Sequence, residues 1–507
     1  MLRRHVLARV ALKRNGHFMK SSWVGAALLI TVFFQKAAAQ VAPVPDEQPE
    51  SSASVATSMP ASESGKSVIG GQSPFLGGVP SGKPTPGDLP LSLKDAIDRG
   101  LKYNLGLLLA DQGMREARGE RLRALSDLLP KATLQSSETE QQLSLRAFGF
   151  PGLPGVPSIV GPFSVFDVRA YFSQPVLDFN ALHNIRAKSE SMRAAQFSYQ
   201  DSRELVVLVC ADLYLAAVSG ASRVNAVGAE LATAQAVYNQ AVDLKKAGVA
   251  PGIDVLRAQV ELQAQQQRLI FFQNAYQKDK LNLARAIGLP IGQGFALTDP
   301  IPYSPLQDTT LERALDRAYK SRADYQSAVA LVSAAESNKK AAQGEGLPTL
   351  RFNADYGDIG IAPGASHGTF TVGANLRIPI FQGGLVRGKV LEADALLQRR
   401  KAELEDLRSR IDYDVRTAFM DVKSAGDQVQ VAMSATDLAK EQVKQAQDRF
   451  GSGVANSLEV VQAQEALATA DENYVSSLYG FNIAKATLAR AAGIAEEAVK
   501  KYLGGSQ

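Results

Sequence analysis

Apolar positions recur along this chain with two different periods. Leu350, Phe352, Ala354 and Tyr356 alternate with Arg351, Asn353 and Asp355. Phe370, Val372, Ala374, Leu376 and Ile378 alternate with Thr371, Gly373, Asn375 and Arg377. Phe166, Val168, Ala170 and Phe172 alternate with Asp167, Arg169 and Tyr171, while 131–146 carries a weaker, more polar version. A period of two predicts strands with one apolar and one polar face. Elsewhere the period is helical: Leu231, Ala234, Val237, Tyr238 and Ala241 mark one narrow face, with Gln235, Asn239 and Gln240 on the others. Between Val176 and Ala250, and again after Pro379, there is no proline. Residues 181–246 and 385–450 therefore read as nearly continuous helices of ~100 Å each, far beyond the usual ~8–20 residues. A stripe this narrow suits lateral packing of helices into a coiled coil or a sheath with one wet face.

The two long helices belong to an internal repeat. QAVDLKKAGVAPGIDVLRAQ (240–259) aligns without a gap on QAQDRFGSGVANSLEVVQAQ (445–464) at an offset of 205, and Leu283-Ala284-Arg285-Ala286 falls on Leu488-Ala489-Arg490-Ala491. Leu93–Arg99 corresponds to Leu311–Arg317 at an offset of 218, which also carries Pro130 onto Pro348. Between those prolines and Pro175 or Pro379 the first half holds 14 extra residues, within the Pro/Gly-rich stretch FGFPGLPGVPSIVGP (148–162), which reads as a loop. Each half, 89–300 and 301–496, thus runs helix, strand, loop, strand, long helix, Gly turn, long helix, and 497–507 is a tail.

Alternating segments of about ten residues are the mark of transmembrane barrel strands, although a half-buried soluble sheet alternates in the same way. Four strands cannot close a barrel, for which about eight are needed. A barrel reading therefore requires several copies of the chain, two giving eight strands and three giving twelve.

The N-terminus fits an exported protein. Trp23–Phe34 is an apolar run of 12 preceded by Lys20 and followed by Ala37-Ala38-Ala39, which reads as a signal peptide over 1–39, with Met19 able to open one of ordinary length. Residues 40–88 are rich in Pro, Ser and Gly and are expected to be disordered. Residues 1–39 hold seven Lys or Arg and no acid, so their removal turns a formal charge of +4 into −3 (48 basic, 51 acidic residues), and no basic excess remains to bind nucleic acid. The single cysteine, Cys210, lies in an apolar helical stretch and reads as a buried thiol. His183 and His367 have no ligand partners at suitable spacing, so no metal site or cofactor is expected. FQGGLVRGK (381–389) lacks the G-x-x-x-x-G-K-[ST] pattern of a phosphate loop and reads as a strand-to-helix junction.

From about Leu91 the chain resembles the TolC-like outer-membrane efflux proteins. The resemblance rests on the duplicated order, the turns AGVAPGIDVLRAQ and GSGVANSLEVVQAQ, the strand ends Gln174-Pro175 and Ile378-Pro379, and Phe381-Gln382-Gly383-Gly384. It implies a mainly α protein with membrane β: duplicated long helical hairpins plus four barrel strands per chain. It further implies a homotrimer sharing a twelve-stranded outer-membrane β-barrel over a periplasmic α-helical tunnel. The implied role is the exit duct of a tripartite pump, docked on a periplasmic adaptor and an inner-membrane transporter, without bond chemistry. Export of proteins in a type I secretion system is the alternative cargo, and an exported coiled-coil structural protein is the alternative class.

On this resemblance the hairpin tips Gly248, Val249, Ala250, Gly453, Val454 and Ala455 would meet the adaptor. Glu459 matches a position for an acidic constriction ring, while the second ring position holds the uncharged Gln462. Asp254 matches a residue that locks the closed tip, but the Tyr and Arg it would bind are Phe450 and Ala455 here, so that lock cannot form as such. Favourable charge near a helix N-terminus is the simpler role for Asp254 and Glu459.

Overall fold

The computed structural model describes residues 73–149, 155, 157–249, 251–300, 303–305, 310–452, 454–455 and 457–502, all within the unit Gly70–Gln507. The expected signal peptide, the segment 40–72 and the last residues of the tail lie outside this range, as do Ala250 and Gly453. The first half comprises β1 (Leu89–Leu91), α1 (Leu93–Tyr103), α2 (Leu105–Ser126), β2 (Lys131–Ser144), β3 (Ile159–Leu177), α3 (Phe179–Lys246), α4 (Gly252–Ala286) and β4 (Phe295–Leu297). The second comprises α5 (Leu311–Ser321), α6 (Ala323–Gly344), β5 (Thr349–Gly360), β6 (Ser366–Arg377), α7 (Leu385–Gly451) and α8 (Ser457–Ala491), followed by α9 (Ala495–Tyr502).

The long helices run where the absence of proline predicts them, over 68 residues in α3 and 67 in α7. Along α7 the buried positions Ile411, Val415, Ala418, Val422, Val429, Ala432, Thr436, Ala439, Val443, Ala446 and Phe450 follow steps of three and four, with one step of seven between Val422 and Val429. That is the seam of a coiled coil, and α8 packs along it as α4 packs along α3. At the other end of the long helices, α2 and α6 flank α3 and α6 also touches α7. Small residues make that approach possible: Ala330, Ala334, Ala341 and Ala342 of α6 and Ala181, Ala187 and Ala194 of α3 are buried. An 18-residue window of α3 is apolar enough to cross a membrane by length and composition, yet 56% of it is buried within the fold. Val206, Val207, Cys210, Ala211, Tyr214 and Leu215 fill the largest core cluster.

In each half a short helix caps a long one end to end. Asn104, between α1 and α2, donates from Nδ2 to the last carbonyls of the neighbourhood, Ala286 O at 3.2 Å and Phe75 O at 2.7 Å, and its Oδ1 receives the Gly106 N–H. Its repeat mate at the 218 offset is Arg322, between α5 and α6, equally buried and bonded to Asp324 and Asp414. The facing chain turns sharply at Gly288 (φ 61°) and Gly493 (φ 71°), repeat mates at the 205 offset. A Cβ on Gly288 would sit 2.6 Å from Val79 O, and one on Gly493 2.7 Å from Arg322 N. Glycine is required at both for left-handed backbone and for close approach.

The disorder expected across 40–88 does not extend to its last part. Residues 73–88 lie along the Asn104 junction, with Val79 N–H donating to Tyr103 O (2.8 Å), Leu105 N–H to Gly77 O (2.9 Å) and Thr85 N–H to Gln293 Oε1 (2.6 Å). Their polar composition forbids a core of their own, but the segment satisfies its backbone on a surface already built.

Strands β2, β3, β5 and β6 form one antiparallel sheet in that order, so the joint between halves is β3 against β5. β3 starts at Ile159, so the end of the Pro/Gly-rich insertion is strand rather than loop. Cross-strand partners share a face: Leu134↔Ala170↔Tyr356↔Phe370 and Ala132↔Phe172↔Ala354↔Val372. A second, parallel pair, β1 with β4, was not legible in the apolar pattern because each strand is three residues long.

Candidate gate, tunnel and membrane band

The two hairpin turns share one backbone bond at equivalent positions. At the end of α3, Gly248 (φ 76°) donates its N–H to Lys245 O and Val249 to Leu244 O, at 3.0 and 2.9 Å, the two bonds of a Schellman C-cap. At the end of α7 the repeat mate Val454 donates to Arg449 O at 3.0 Å, joined there by Ala455 N–H at 3.2 Å. Both turns project apolar side chains into solvent: Val249 and Val454, and behind them the repeat mates Ile253 and Leu458, are exposed.

Just behind the turns the two hairpins meet in one cluster. Val237 and Ala241 of α3, Ala258 of α4, Val443, Ala446 and Phe450 of α7, and Val460 and Ala463 of α8 pack together. Phe450 is buried within it. An apolar plug thus occupies the position where the resemblance would place a hydroxyl lock. Asp254, in the first turn of α4, is buried and 3.4 Å from Arg257. Glu459, in the first turn of α8, is half-exposed and lies 3.1 Å from Arg449 on α7. Gln462 is exposed one turn further along α8. The structure therefore brings Phe450, Asp254, Glu459 and Gln462 to one end of the hairpins, with a guanidinium beside each carboxylate that the sequence pattern alone did not reveal.

Farther up the hairpins the inner seam of α4 carries buried polar residues beside Ala258 and Leu262. Asp254, Glu261 and Gln265 are buried at seam spacing, and Gln265 donates to Glu261 at 2.7 Å. Arg268, next in the same spacing, reaches Glu230 on α3 (3.5 Å) and Glu472 on α8 (3.8 Å), tying the two hairpins together. Burial pushes the Glu230 carboxyl above its usual range, with the Arg268 charge opposing and Asp471, Glu261 and Glu472 adding to the rise. The outer side of α4 exposes a set of apolar residues among polar ones: Ile253, Leu256, Val260, Ile270, Phe271 and Leu281 are exposed and, at about 100° per residue, share one side of the helix with Gln263, Gln267, Asn274 and Lys278. On α7, Leu391, Tyr413, Met420, Val431 and Leu438 are exposed on the side opposite its buried seam. These exposed apolar side chains on α4 and α7 are left uncovered within the described residues.

The sheet shows the same inversion. Its apolar face exposes Leu134, Phe172, Tyr356, Phe370, Val372 and Leu376. Its polar face is bonded within itself: Arg169 pairs with Asp355 and Asp167 and donates to Thr369 Oγ1 at 2.8 Å, and Ser173 donates to Asn353 at 2.9 Å. The outer edges of β2 and β6 have no strand partner among the described residues. Among those residues no three His, Cys, Asp or Glu are grouped to hold a metal.

A duplicated pair of long helical hairpins, joined to a sheet with an exposed apolar band and a bonded polar face, defines a channel subunit of the outer membrane. The chain belongs to the outer membrane efflux protein family, whose model matches residues 97–289 and 314–494. It is 24% identical over 382 residues to the pyoverdine export outer membrane protein OpmQ of Pseudomonas putida, covering 72% of this chain and 78% of the relative. It is 25% identical over 373 residues to the toluene efflux pump outer membrane protein TtgF of the same species, covering 69% and 72%. The solved structure of the outer membrane protein VceC of Vibrio cholerae superposes with a TM-score of 0.68 at 19% identity, covering 80% of this chain and 97% of that one. The protein is thus an outer-membrane efflux channel, with its four-stranded sheet in that membrane and its helices in the periplasm.

Proposed function

We propose that three copies of this chain close one twelve-stranded barrel and one helical tunnel. In this reading the tunnel receives small molecules from an inner-membrane transporter through a periplasmic adaptor and releases them outside, without bond chemistry. The single observation that carries the assembly is the pair of inside-out edges on each copy. β2 and β6 have open hydrogen-bonding edges, and α4 and α7 carry exposed apolar stripes. Because β6 runs antiparallel to β5, and β2 to β3, an edge β6 meets the β2 of the next copy antiparallel. The number three is the one the family resemblance implies. The polar sheet face lines the bore and the apolar face meets lipid. The tips form the periplasmic entrance, with Glu459, Gln462, Asp254 and Phe450 at the constriction. Gly248, Val249, Ala250, Gly453, Val454 and Ala455 form the surface offered to the adaptor, supported by the exposed valines at both turns. The naming of the relatives for pyoverdine export and toluene efflux supports small-molecule cargo.

The test is the mature protein in detergent, measured by light scattering and in a planar bilayer. A trimeric species with discrete conductance is expected. A monomer without conductance would overturn the duct, and a conducting dimer would overturn the number of copies.

A further inference from the structure

We propose that Arg449 sets the ion preference of the periplasmic entrance by cancelling Glu459, so that this channel admits anionic cargo. The inference rests on the placement of the hairpin tips at the constriction given above. Arg449 closes α7 and Glu459 opens α8, and the guanidinium Nε lies 3.1 Å from the carboxylate. The side chains are 56% and 44% exposed, so the pair faces water rather than the Phe450 cluster. An ion pair this open contributes little to stability and is screened by salt. Its effect is on the field: a lone ring of carboxylates concentrates cations and repels anions, whereas an adjacent opposite charge leaves a dipole whose field falls off faster.

Three further observations agree. The Arg449 backbone is fixed, because its carbonyl receives the N–H groups of both Val454 and Ala455, so the side chain starts from a point held by the turn. The next position along α8 on the same side is Gln462, which adds no second negative ring. Two other tip carboxylates are also matched, Asp254 by Arg257 at 3.4 Å and Asp243 by Lys246 at 3.2 Å. Within 243–257 three basic residues (Lys245, Lys246, Arg257) face two acids (Asp243, Asp254), and within 440–459 three (Lys440, Lys444, Arg449) face three (Glu441, Asp448, Glu459). The tip therefore carries no acidic excess, and negatively charged or zwitterionic molecules meet no barrier of like charge there.

The experiment is the reversal potential of single channels in a potassium chloride gradient, repeated in potassium gluconate. It compares wild type, Arg449→Gln, Arg449→Lys, Glu459→Gln and the double variant Arg449→Gln/Glu459→Gln. Wild type should discriminate weakly. Arg449→Gln should raise the cation-to-anion permeability ratio at least about threefold, and Arg449→Lys, which keeps the charge, should stay near wild type. Glu459→Gln should shift the ratio toward anions, and the double variant should return to weak discrimination. A purely structural Arg449 would move stability in all its variants but not the ratio. A strongly cation-selective wild type, or an Arg449→Gln ratio unchanged while Glu459→Gln alters it, overturns the inference and leaves the constriction in place. If neither single variant alters the ratio of a conducting channel, the tips are not the constriction and the placement itself fails. Should Arg449→Gln yield no channel, Glu459→Gln decides alone, since an uncancelled Arg449 must favour anions.

Discussion

Gly493→Ala tests the end-on helix junction with a built-in control. Gly493 sits at φ 71°, and a Cβ there would meet Arg322 N at 2.7 Å and Arg322 Cα at 2.9 Å. Two costs should add: about 1 kcal/mol for an L-residue in left-handed backbone, and about 1–3 kcal/mol for forcing two packed segments apart. Gly292 has a similar φ of 83° with nothing within 4 Å of the same added atom. Gly292→Ala therefore incurs the first cost without the second. The gain from a stiffer unfolded chain is common to both substitutions and cancels in the comparison. Thermal unfolding followed by far-UV circular dichroism in one detergent should rank wild type above Gly292→Ala, and Gly292→Ala above Gly493→Ala by the packing term. Equal midpoints for the two variants would refute the close approach and leave backbone conformation as the only reason for glycine at 493.

Arg322→Met should cost about 2–4 kcal/mol at neutral pH, reduced from the fully buried case because Asp414 is 37% exposed. Burial would raise the Asp324 carboxyl, but the hydrogen bonds and charge of Arg322 outweigh it and hold it below its usual value. The wild-type contribution is therefore present above the unfolded carboxylate pKa of ~3.9 and lost as pH falls through the lower folded value. In Arg322→Met burial is opposed only by the Arg490 charge and the Tyr325 N–H, so the gap between the two proteins should shrink on acidification; a gap independent of pH between neutral and acid would contradict this. Burial pushes the Cys210 thiol up to about 12, so a maleimide at neutral pH should label it only after unfolding, and rapid labelling of the native channel would show that α3 opens there. Phe271→Glu places a charge in the outer stripe of α4 and should abolish trimers in light scattering while leaving helical content intact; an unchanged trimer would remove that stripe from the interface.

Much of this architecture is legible in the sequence because its period is long and unbroken. The runs without proline set α3 and α7 to within a few residues at each end, and alternation located β5 and β6. Charge partnerships across a turn were not legible. Arg449 and Glu459 lie ten positions apart, and only the fold of the Gly turn brings them within 3.1 Å. The polarity of α4 misleads for a related reason. Asp254, Glu261, Gln265 and Arg268 look like a solvated face, yet they lie along the seam with α3, because the opposite, apolar face has a second use. The strap 73–88 was hidden because backbone hydrogen bonding leaves no mark on composition.

The duplication also predicts how copies join. Within one chain the second strand of the first half, β3, pairs with the first strand of the second half, β5. If the same rotation is repeated, β6 of one copy takes the place of β3, and β2 of the next takes that of β5. The offsets then fix the register: Phe172↔Ala354 becomes Leu376 (204 later) opposite Ser136 (218 earlier) of the neighbouring copy. Both positions lie on the apolar face of the sheet, as cross-strand neighbours must. A channel carrying Leu376→Cys and Ser136→Cys should, on mild oxidation, give a ladder of covalent dimers and trimers in denaturing electrophoresis. A shift by one residue would put the two positions on opposite faces. Efficient cross-linking of Leu376→Cys with Gln135→Cys or Ser137→Cys, and none with Ser136→Cys, would therefore show that the joint between copies is not the internal joint repeated.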